Sequence, residues 1–261
     1  MEESVPSNLK TLTSALSPLS ATSRPVENTE LQRQLIGLFL LVGVLMRCSR
    51  YLLNFPLWED ECFLVVSYLD RGYLELLEPL RYHQVAPVFF LWIELTMVKL
   101  FGFHEFALRL FPLVCSLIGL WIFAHIARRL LTGSALVIAI GLFAVSYPNM
   151  RYAAEAKQYA SDLLVGLVYL SMCVEWWRLH SVRDPRAVRW LWGICAVTPL
   201  AVGLSYPSLF SAGAVSLLVA TVLMQEARQS RSLISSLLQN YAMKLWVAFN
   251  CILITSFAVI V

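Results

Sequence analysis

Three consecutive carboxylates, Glu59, Asp60 and Glu61, follow closely after a strongly apolar segment of the sequence. The chain around them is 59% hydrophobic and only 14% charged, whereas a typical soluble domain is about 45–50% apolar and about 25% charged. The sequence is therefore predicted to be an integral membrane protein. A carboxylate at the edge of a bilayer suits a general base, because partial desolvation raises its pKa toward neutrality. An ordinary solvated acidic loop is the alternative.

A second polar stretch, residues 149–162, contains Arg151, Glu155, Lys157, Tyr159 and Asp162. Arg151, Glu155 and Asp162 are spaced by four and seven residues, which predicts a shared helix face. Carboxylates near basic groups suit a reaction in which a base activates an acceptor hydroxyl or amine while cations stabilise a departing phosphate. The two stretches together favour phosphosugar transfer. An ion pair that caps a spanning helix would explain the second stretch without catalysis.

Hydropathy predicts an all-α, polytopic bundle of about seven to eight membrane segments. The first span covers residues 35–55, and Arg47 and Arg50 in its last turns are expected to extend toward the headgroups. Residues 60–78 combine a helical apolar period with many charges, which predicts an amphipathic helix on the membrane surface within a first extracytoplasmic loop of about 56–106. Six further spans are predicted, at 107–130, 135–147, 159–177, 190–205, 208–224 and 244–261.

The segment 85–103 has the length of a span but contains Glu94 and Lys99, which are costly at mid-membrane. If it is re-entrant or interfacial, the arginine-rich loops that follow all face the cytoplasm, as the bias of Lys and Arg prefers. If it crosses, the loop with four arginines lies outside. The first arrangement is favoured, and it places both polar stretches on the non-cytoplasmic face.

Residues 1–34 are rich in Ser, Thr, Pro and Glu and are predicted to form a disordered cytoplasmic tail. Residues 35–261 form one transmembrane domain, which is expected to be truncated because the sequence stops within an apolar run. The net charge of +3 is too small and scattered to indicate a nucleic-acid partner. No metal-binding or cofactor-binding motif is present, so no metal and no cofactor is expected.

Four motifs in order resemble the GT-C class of membrane glycosyltransferases, specifically bacterial relatives of the protein O-mannosyltransferases and of the lipid A aminoarabinose transferase. In that family an Asp-Glu pair follows the first span, a proline turn and an aromatic apolar run come next, and two short motifs follow. The matching residues are Asp60-Glu61, His83 to Trp92 with Pro87, Phe101-Gly102 with Glu105 and Ala107-Leu108-Arg109-Leu110, and Arg151 to Ala160. The likeness covers about residues 35–169, and a single proline replaces the family's usual pair.

The resemblance implies that Asp60 deprotonates the acceptor, with Glu61 beside it. It also implies an inverting transfer from a sugar on a polyprenyl phosphate to a lipid, glycan or protein acceptor, on the extracytoplasmic face of the cell membrane. Arg109 and Lys157 are then candidates either for binding the phosphate or for holding the acidic loop. The remaining expected substrate-binding residues are His83, Arg151, Glu155 and Tyr159. A non-catalytic membrane subunit and a lipid or sugar transporter are the alternatives.

Overall fold

The computed structural model describes residues 30–229 and 233–260, with side chains for residues 30–226 and 241–260. This part of the chain is helical and contains no strand. The first helix begins at Glu30, within the region predicted to be a tail; the rest of that tail, residues 1–29, lies outside the described residues. The α-helices are α1 Glu30–Leu52, α2 Glu59–Val65, α3 Val88–Phe101, α4 Glu105–Leu130, α5 Gly133–Val145, α6 Tyr147–Tyr152, α7 Tyr159–Ser181, α8 Ala187–Leu204, α9 Ser208–Gln229 and α10 Leu233–Ile260.

Six of the described helices contain a stretch long and apolar enough to cross a membrane, namely α1, α4, α7, α8, α9 and α10. This confirms a polytopic helical bundle, with fewer full-length spans than the seven or eight predicted. The difference is at residues 135–147, because α5 has 13 residues and ends at Val145. Such a helix is about 20 Å long, against about 30 Å for the hydrocarbon core. Extended backbone at Ser146 ends α5, and Pro148 then opens α6.

The loop between α1 and α4 begins and ends at the same end of the bundle. The Tyr51 hydroxyl, in the last turn of α1, donates a hydrogen bond to the Phe106 carbonyl at the start of α4 over 2.8 Å. The two aromatic rings also meet edge to face, with centroids 5.4 Å apart. Helix α3 lies within this loop and, with 14 residues, reaches only about 21 Å. The chain therefore returns to the end of the bundle that it left, which is the arrangement expected if residues 85–103 do not cross the membrane; the interfacial interpretation stays a prediction.

The amphipathic helix predicted over residues 60–78 is wrong in extent. After α2 the chain forms three short 3-10 turns, Val66–Tyr68, Glu75–Leu77 and Arg81–His83. The Gly72 amide donates to the Glu75 carboxylate, a local contact that competes with continued helix. Four apolar side chains of this region are buried, and they pack against α3 and α4 in a cluster of Leu64, Val65, Tyr68, Leu76, Phe90, Leu91, Leu95 and Leu108. Leu69, Leu74 and Leu77 remain exposed.

Arg47 does not extend toward the headgroups, contrary to the sequence prediction. Its side chain is fully buried between α1, α4 and α5. The guanidinium donates to the Ser116 hydroxyl over 2.9 Å and to the carbonyls of Gly43 and Ala144 over 2.9 and 2.8 Å. The Ala144 carbonyl is among those left without an intrahelical partner where α5 ends. The Ala144 carbonyl, which is free because α5 ends early, therefore accepts a hydrogen bond from the buried Arg47 guanidinium.

Candidate active site

The acidic run forms the first turn of α2, where negative side chains interact favourably with the helix dipole. Its three carboxylates lie in different environments. Glu59 is exposed, the Asp60 side chain is 35% exposed, and the Glu61 side chain is 1% exposed. Successive side chains on a helix point about 100° apart. Glu61 therefore points into the core, whereas Glu59 points to the surface.

Glu61 and Arg109 form a buried pair. Glu61 Oε1 accepts from Arg109 Nε over 3.1 Å, and Glu61 Oε2 accepts from Arg109 Nη2 over 2.8 Å. The backbone amide of Ala156 also donates to Oε1, at 2.7 Å, and that of Trp58 to Oε2, at 3.2 Å. Arg109 Nη1 donates to the Phe55 carbonyl over 2.6 Å. Both side chains are therefore engaged inside the protein, where they join the acidic run to α4 and to the turn before α7.

Asp60 is the partly open carboxylate of this site. Lys157 Nζ lies 3.0 Å from Asp60 Oδ1, and it also donates to the Gln84 side-chain oxygen over 2.7 Å. The Lys157 side chain is buried, so the aspartate contacts a cation whose position is fixed by the fold. Of the alternatives given by the sequence, Arg109 and Lys157 both lie where they hold the acidic run in place.

Arg151 and Glu155 form the predicted ion pair, and Glu155 raises the pKa of the Arg151 guanidinium. Arg151 also lies over the Trp58 ring, 5.0 Å from its centroid, so it contacts the acidic run from the other side. The predicted helix face shared with Asp162 is wrong, because α6 ends at Tyr152 and α7 begins at Tyr159. The intervening residues are not helical. In this turn the Ala156 amide donates a hydrogen bond to Glu61, and the Lys157 ammonium forms an ion pair with Asp60. Tertiary contacts here override helical propensity.

His83 and Tyr159 lie at the surface. His83 has a left-handed backbone with φ of 55°, and its side chain makes no hydrogen bond to the described acidic run. Tyr159 packs against Tyr152, with ring centroids 4.6 Å apart. Both tyrosines line a cleft of about 290 Å³ between α4, α6 and α7, together with Ser116, Asn149 and Asp162. One oxygen of Asp162, Oδ1, accepts no hydrogen bond from the part of the chain that the structure describes.

Two further residues near the site are not among the site residues expected from the sequence. Gln84 binds the Lys157 ammonium across 73 residues of sequence, and its place in the proline motif is the only sequence signal for it. Glu94 of α3 is fully buried, and neither of its oxygens has a hydrogen-bond partner among the described residues. Burial raises the pKa of Glu94 well above its ordinary value, and burial together with the nearby Glu94 raises that of Tyr68. Burial therefore favours the neutral form of Glu94.

Among residues 30–229 and 233–260, no group of three or more His, Cys, Asp or Glu side chains is close enough to hold a metal ion. The cations that contact the acidic carboxylates are the side chains of Arg109 and Lys157.

A model of the dolichyl-phosphate-mannose-protein mannosyltransferase family matches residues 85–255, about two thirds of the chain. The match extends further toward the C-terminus than the motif likeness, which ends near residue 169. It includes Arg109, Arg151, Glu155 and Lys157, and it begins after the acidic run. No curated protein and no solved structure matches the chain. The chain belongs to the dolichyl-phosphate-mannose-protein mannosyltransferase family and so to the GT-C class of membrane glycosyltransferases.

Proposed function

We propose that the protein is an inverting glycosyltransferase that moves a sugar from a polyprenyl-phosphate donor to a lipid, glycan or protein acceptor, with Asp60 as the base. The observation that carries this proposal is the contrast between Glu61 and Asp60. Glu61 is buried and accepts four hydrogen bonds, whereas Asp60 is partly exposed and contacts the fixed ammonium of Lys157. One carboxylate thus positions the helix turn, and its neighbour is available to a substrate.

In this mechanism an acceptor hydroxyl gives its proton to Asp60. The acceptor oxygen attacks the anomeric carbon from the side opposite the phosphate and forms the new glycosidic bond. The bond between that carbon and the phosphate oxygen breaks, and the polyprenyl phosphate leaves with the electron pair. Lys157 orients the Asp60 carboxylate, and Arg151, which is partly exposed beside Trp58, is the cation proposed to stabilise the departing phosphate.

The proposed face of the reaction is extracytoplasmic. Arg128, Arg129 and Arg178 lie in the last turns of α4 and α7, at the end of the bundle opposite to Asp60. Basic residues near span ends favour the cytoplasmic side. This assignment places α2 and the turn of residues 153–158 together on the outer side of a cell membrane.

Membranes that contain the full chain, supplied with a panel of polyprenyl-phosphate sugars, provide the test. Asp60→Asn should lower the rate of sugar transfer by about 10²-fold to 10⁴-fold, the usual contribution of a general base. Glu59→Gln is the matched control, because it removes a neighbouring exposed carboxylate from the same helix turn. Undiminished transfer by Asp60→Asn would show that the base is assigned wrongly. Absence of transfer by the wild-type chain with every donor would favour a non-catalytic membrane subunit.

A further inference from the structure

The end of the bundle opposite to Asp60 contains a charged cluster between α4 and α7. Glu175 of α7 has a side chain only 7% exposed, and it is surrounded by three basic residues. Its oxygens lie 2.8 Å from Arg129 Nε, 2.9 Å from Arg178 Nη2 and 3.6 Å from His125 Nε2. One buried carboxylate therefore contacts two partly exposed guanidinium groups directly, and a partly exposed imidazole lies beside it.

The guanidinium groups retain free donors. Arg178 donates two hydrogen bonds to Glu175 Oε2. The contact of Arg129 with Oε1 is an ion pair, and Oε1 accepts no hydrogen bond from the described residues. Arg128, the next residue, is exposed and forms no ion pair within the described chain. Two guanidinium groups thus share a single carboxylate, and the exposed Arg128 beside them adds a further positive charge.

An exposed apolar stripe of α4 leads into this cluster. Val114, Ile118 and Trp121 are exposed and lie on the helix face that continues through His125 to Arg129, with spacings of three or four residues. The Trp121 ring is 67% exposed and stacks on His125, with centroids 6.1 Å apart. This surface changes from apolar to aromatic to cationic toward the end of the span. It therefore complements an anionic phospholipid, whose acyl chains are apolar and whose headgroup is charged.

We propose that this surface, formed by Trp121, His125, Arg128, Arg129 and Arg178, binds an anionic glycerophospholipid. The lipid phosphate contacts the free donors of Arg129 and Arg178, and one acyl chain lies along the apolar stripe of α4. Guanidinium groups bind phosphate oxygens with charge-assisted hydrogen bonds, and Glu175 holds two of these groups in place before the lipid arrives. The site is separate from Asp60 and does not depend on the proposed sugar transfer.

The test measures lipid binding to the purified full chain in detergent, by native mass spectrometry and by thermal unfolding. Phosphatidylglycerol should bind and stabilise the protein more than phosphatidylcholine with the same acyl chains. Arg128→Gln and Arg129→Gln should each weaken phosphatidylglycerol binding about five-fold, as expected for one basic residue at a membrane surface. Arg189→Gln, which removes an exposed arginine at the same end of the bundle, should leave binding unchanged.

Three outcomes would overturn the proposal. Equal binding of both lipids would exclude recognition of the anionic headgroup. An equal loss in Arg189→Gln would reduce the effect to general attraction by a basic surface. Stabilisation by inorganic phosphate alone, to the same extent as by phosphatidylglycerol, would indicate an anion site without a lipid. Arg128 forms no ion pair with the described residues, so the Arg128→Gln variant should fold normally. Its phosphatidylglycerol binding then decides the test even if the Arg129→Gln variant unfolds.

Discussion

Asp60 and Glu61 show how one helix turn gives adjacent carboxylates different tasks. The sequence predicts that both lie near the membrane surface, and it offers Arg109 and Lys157 as their partners. It does not predict which carboxylate is buried, because the deciding contacts join Glu61 to residues 48 and 95 positions away. The split into a saturated Glu61 and a partly open Asp60 follows from the three-dimensional arrangement of α2, α4 and the turn before α7.

Removing one partner of the buried Glu61–Arg109 pair should be strongly destabilising. Glu61→Gln leaves the Arg109 guanidinium buried without a counter-ion, which should lower the free energy of unfolding by about 3–5 kcal/mol. Adding Arg109→Met should recover part of that loss, because the unpaired charge is then gone. Denaturant titration of the purified protein in detergent measures each value.

Arg81→Gln is the control for that series, since it removes the largely exposed ion pair with Asp70. Its cost should stay below about 1 kcal/mol. Arg109→Met alone completes the comparison. If the double variant lost as much stability as Glu61→Gln and Arg109→Met lose separately when their losses are added, the two side chains would not be energetically coupled.

Glu94 should make the stability of the protein depend on pH. Burial raises its pKa in the folded state above the unfolded value of about 4.3. The folded protein therefore binds one proton more than the unfolded chain between these two values, so stability is fully present below the unfolded pKa and falls as the pH rises toward the folded one. Glu94→Gln keeps the shape but cannot ionise. Its melting temperature should match that of the wild type near pH 4 and exceed it at pH 8; parallel profiles at every pH would contradict this account.

At the level of secondary structure, the sequence predicts long apolar helices well and their interruptions poorly. Hydropathy indicated the six full-length spans because apolar length is a local property. It placed one helix over residues 60–78 and another through Arg151 and Asp162, where the chain instead forms turns. In both places the helix ends because a side chain or backbone group is used elsewhere, as when Gly72 binds Glu75 and when the Ala156 amide binds Glu61.

The contact between α3 and α8 depends on Gly203. A Cβ atom added there would lie 2.2 Å from the Phe89 ring, which is far closer than van der Waals contact. Gly203→Ala should therefore force α3 away from α8 and lower the free energy of unfolding by about 1–3 kcal/mol. Transfer activity should fall as well, because Gln84 and Lys157 meet just before α3 begins. Thermal unfolding and the transfer assay report the two effects.

Gly213 in the neighbouring helix α9 provides the matched control. Apart from the backbone of its own helix and its two chain neighbours, no described atom lies within 4 Å of a Cβ added at this position. Gly213→Ala should be neutral or slightly stabilising, since alanine favours a helix over glycine by up to about 1 kcal/mol. A similar loss of stability in both variants would rule out the Phe89 contact as the cause.

For the whole molecule, the contact between Tyr51 and Phe106 fixes the path of the chain. Because α1 ends where α4 begins, the acidic run and the turn of residues 153–158 meet at one end of the bundle, and the arginine-rich ends of α4 and α7 lie at the other. The bias of basic residues predicted this arrangement from the sequence, and it did so without any motif for α3. Charge bias is informative here because it depends on where segments end rather than on their internal packing.

Labelling of intact cells tests which end faces outward. Cysteines introduced at exposed positions, Leu74→Cys and Val182→Cys, lie at the two ends. In a background with Cys251→Ser, which removes an exposed native thiol, a membrane-impermeant maleimide should modify Leu74→Cys in intact cells. It should modify Val182→Cys only after permeabilisation. The reverse order would place Asp60 in the cytoplasm and overturn the proposed face of the reaction.

The buried position of Arg47 has a consequence for how the protein is synthesised. The first helix enters the bilayer with a cation whose later partners, Ser116 and Ala144, are still 69 and 97 residues from emerging. Until those residues arrive, α1 can lower the cost of this charge only by staying near water or near the translocation machinery. Stable release of the first helix into lipid should therefore wait until α5 has been translated, so that membrane insertion and tertiary assembly become one coupled event.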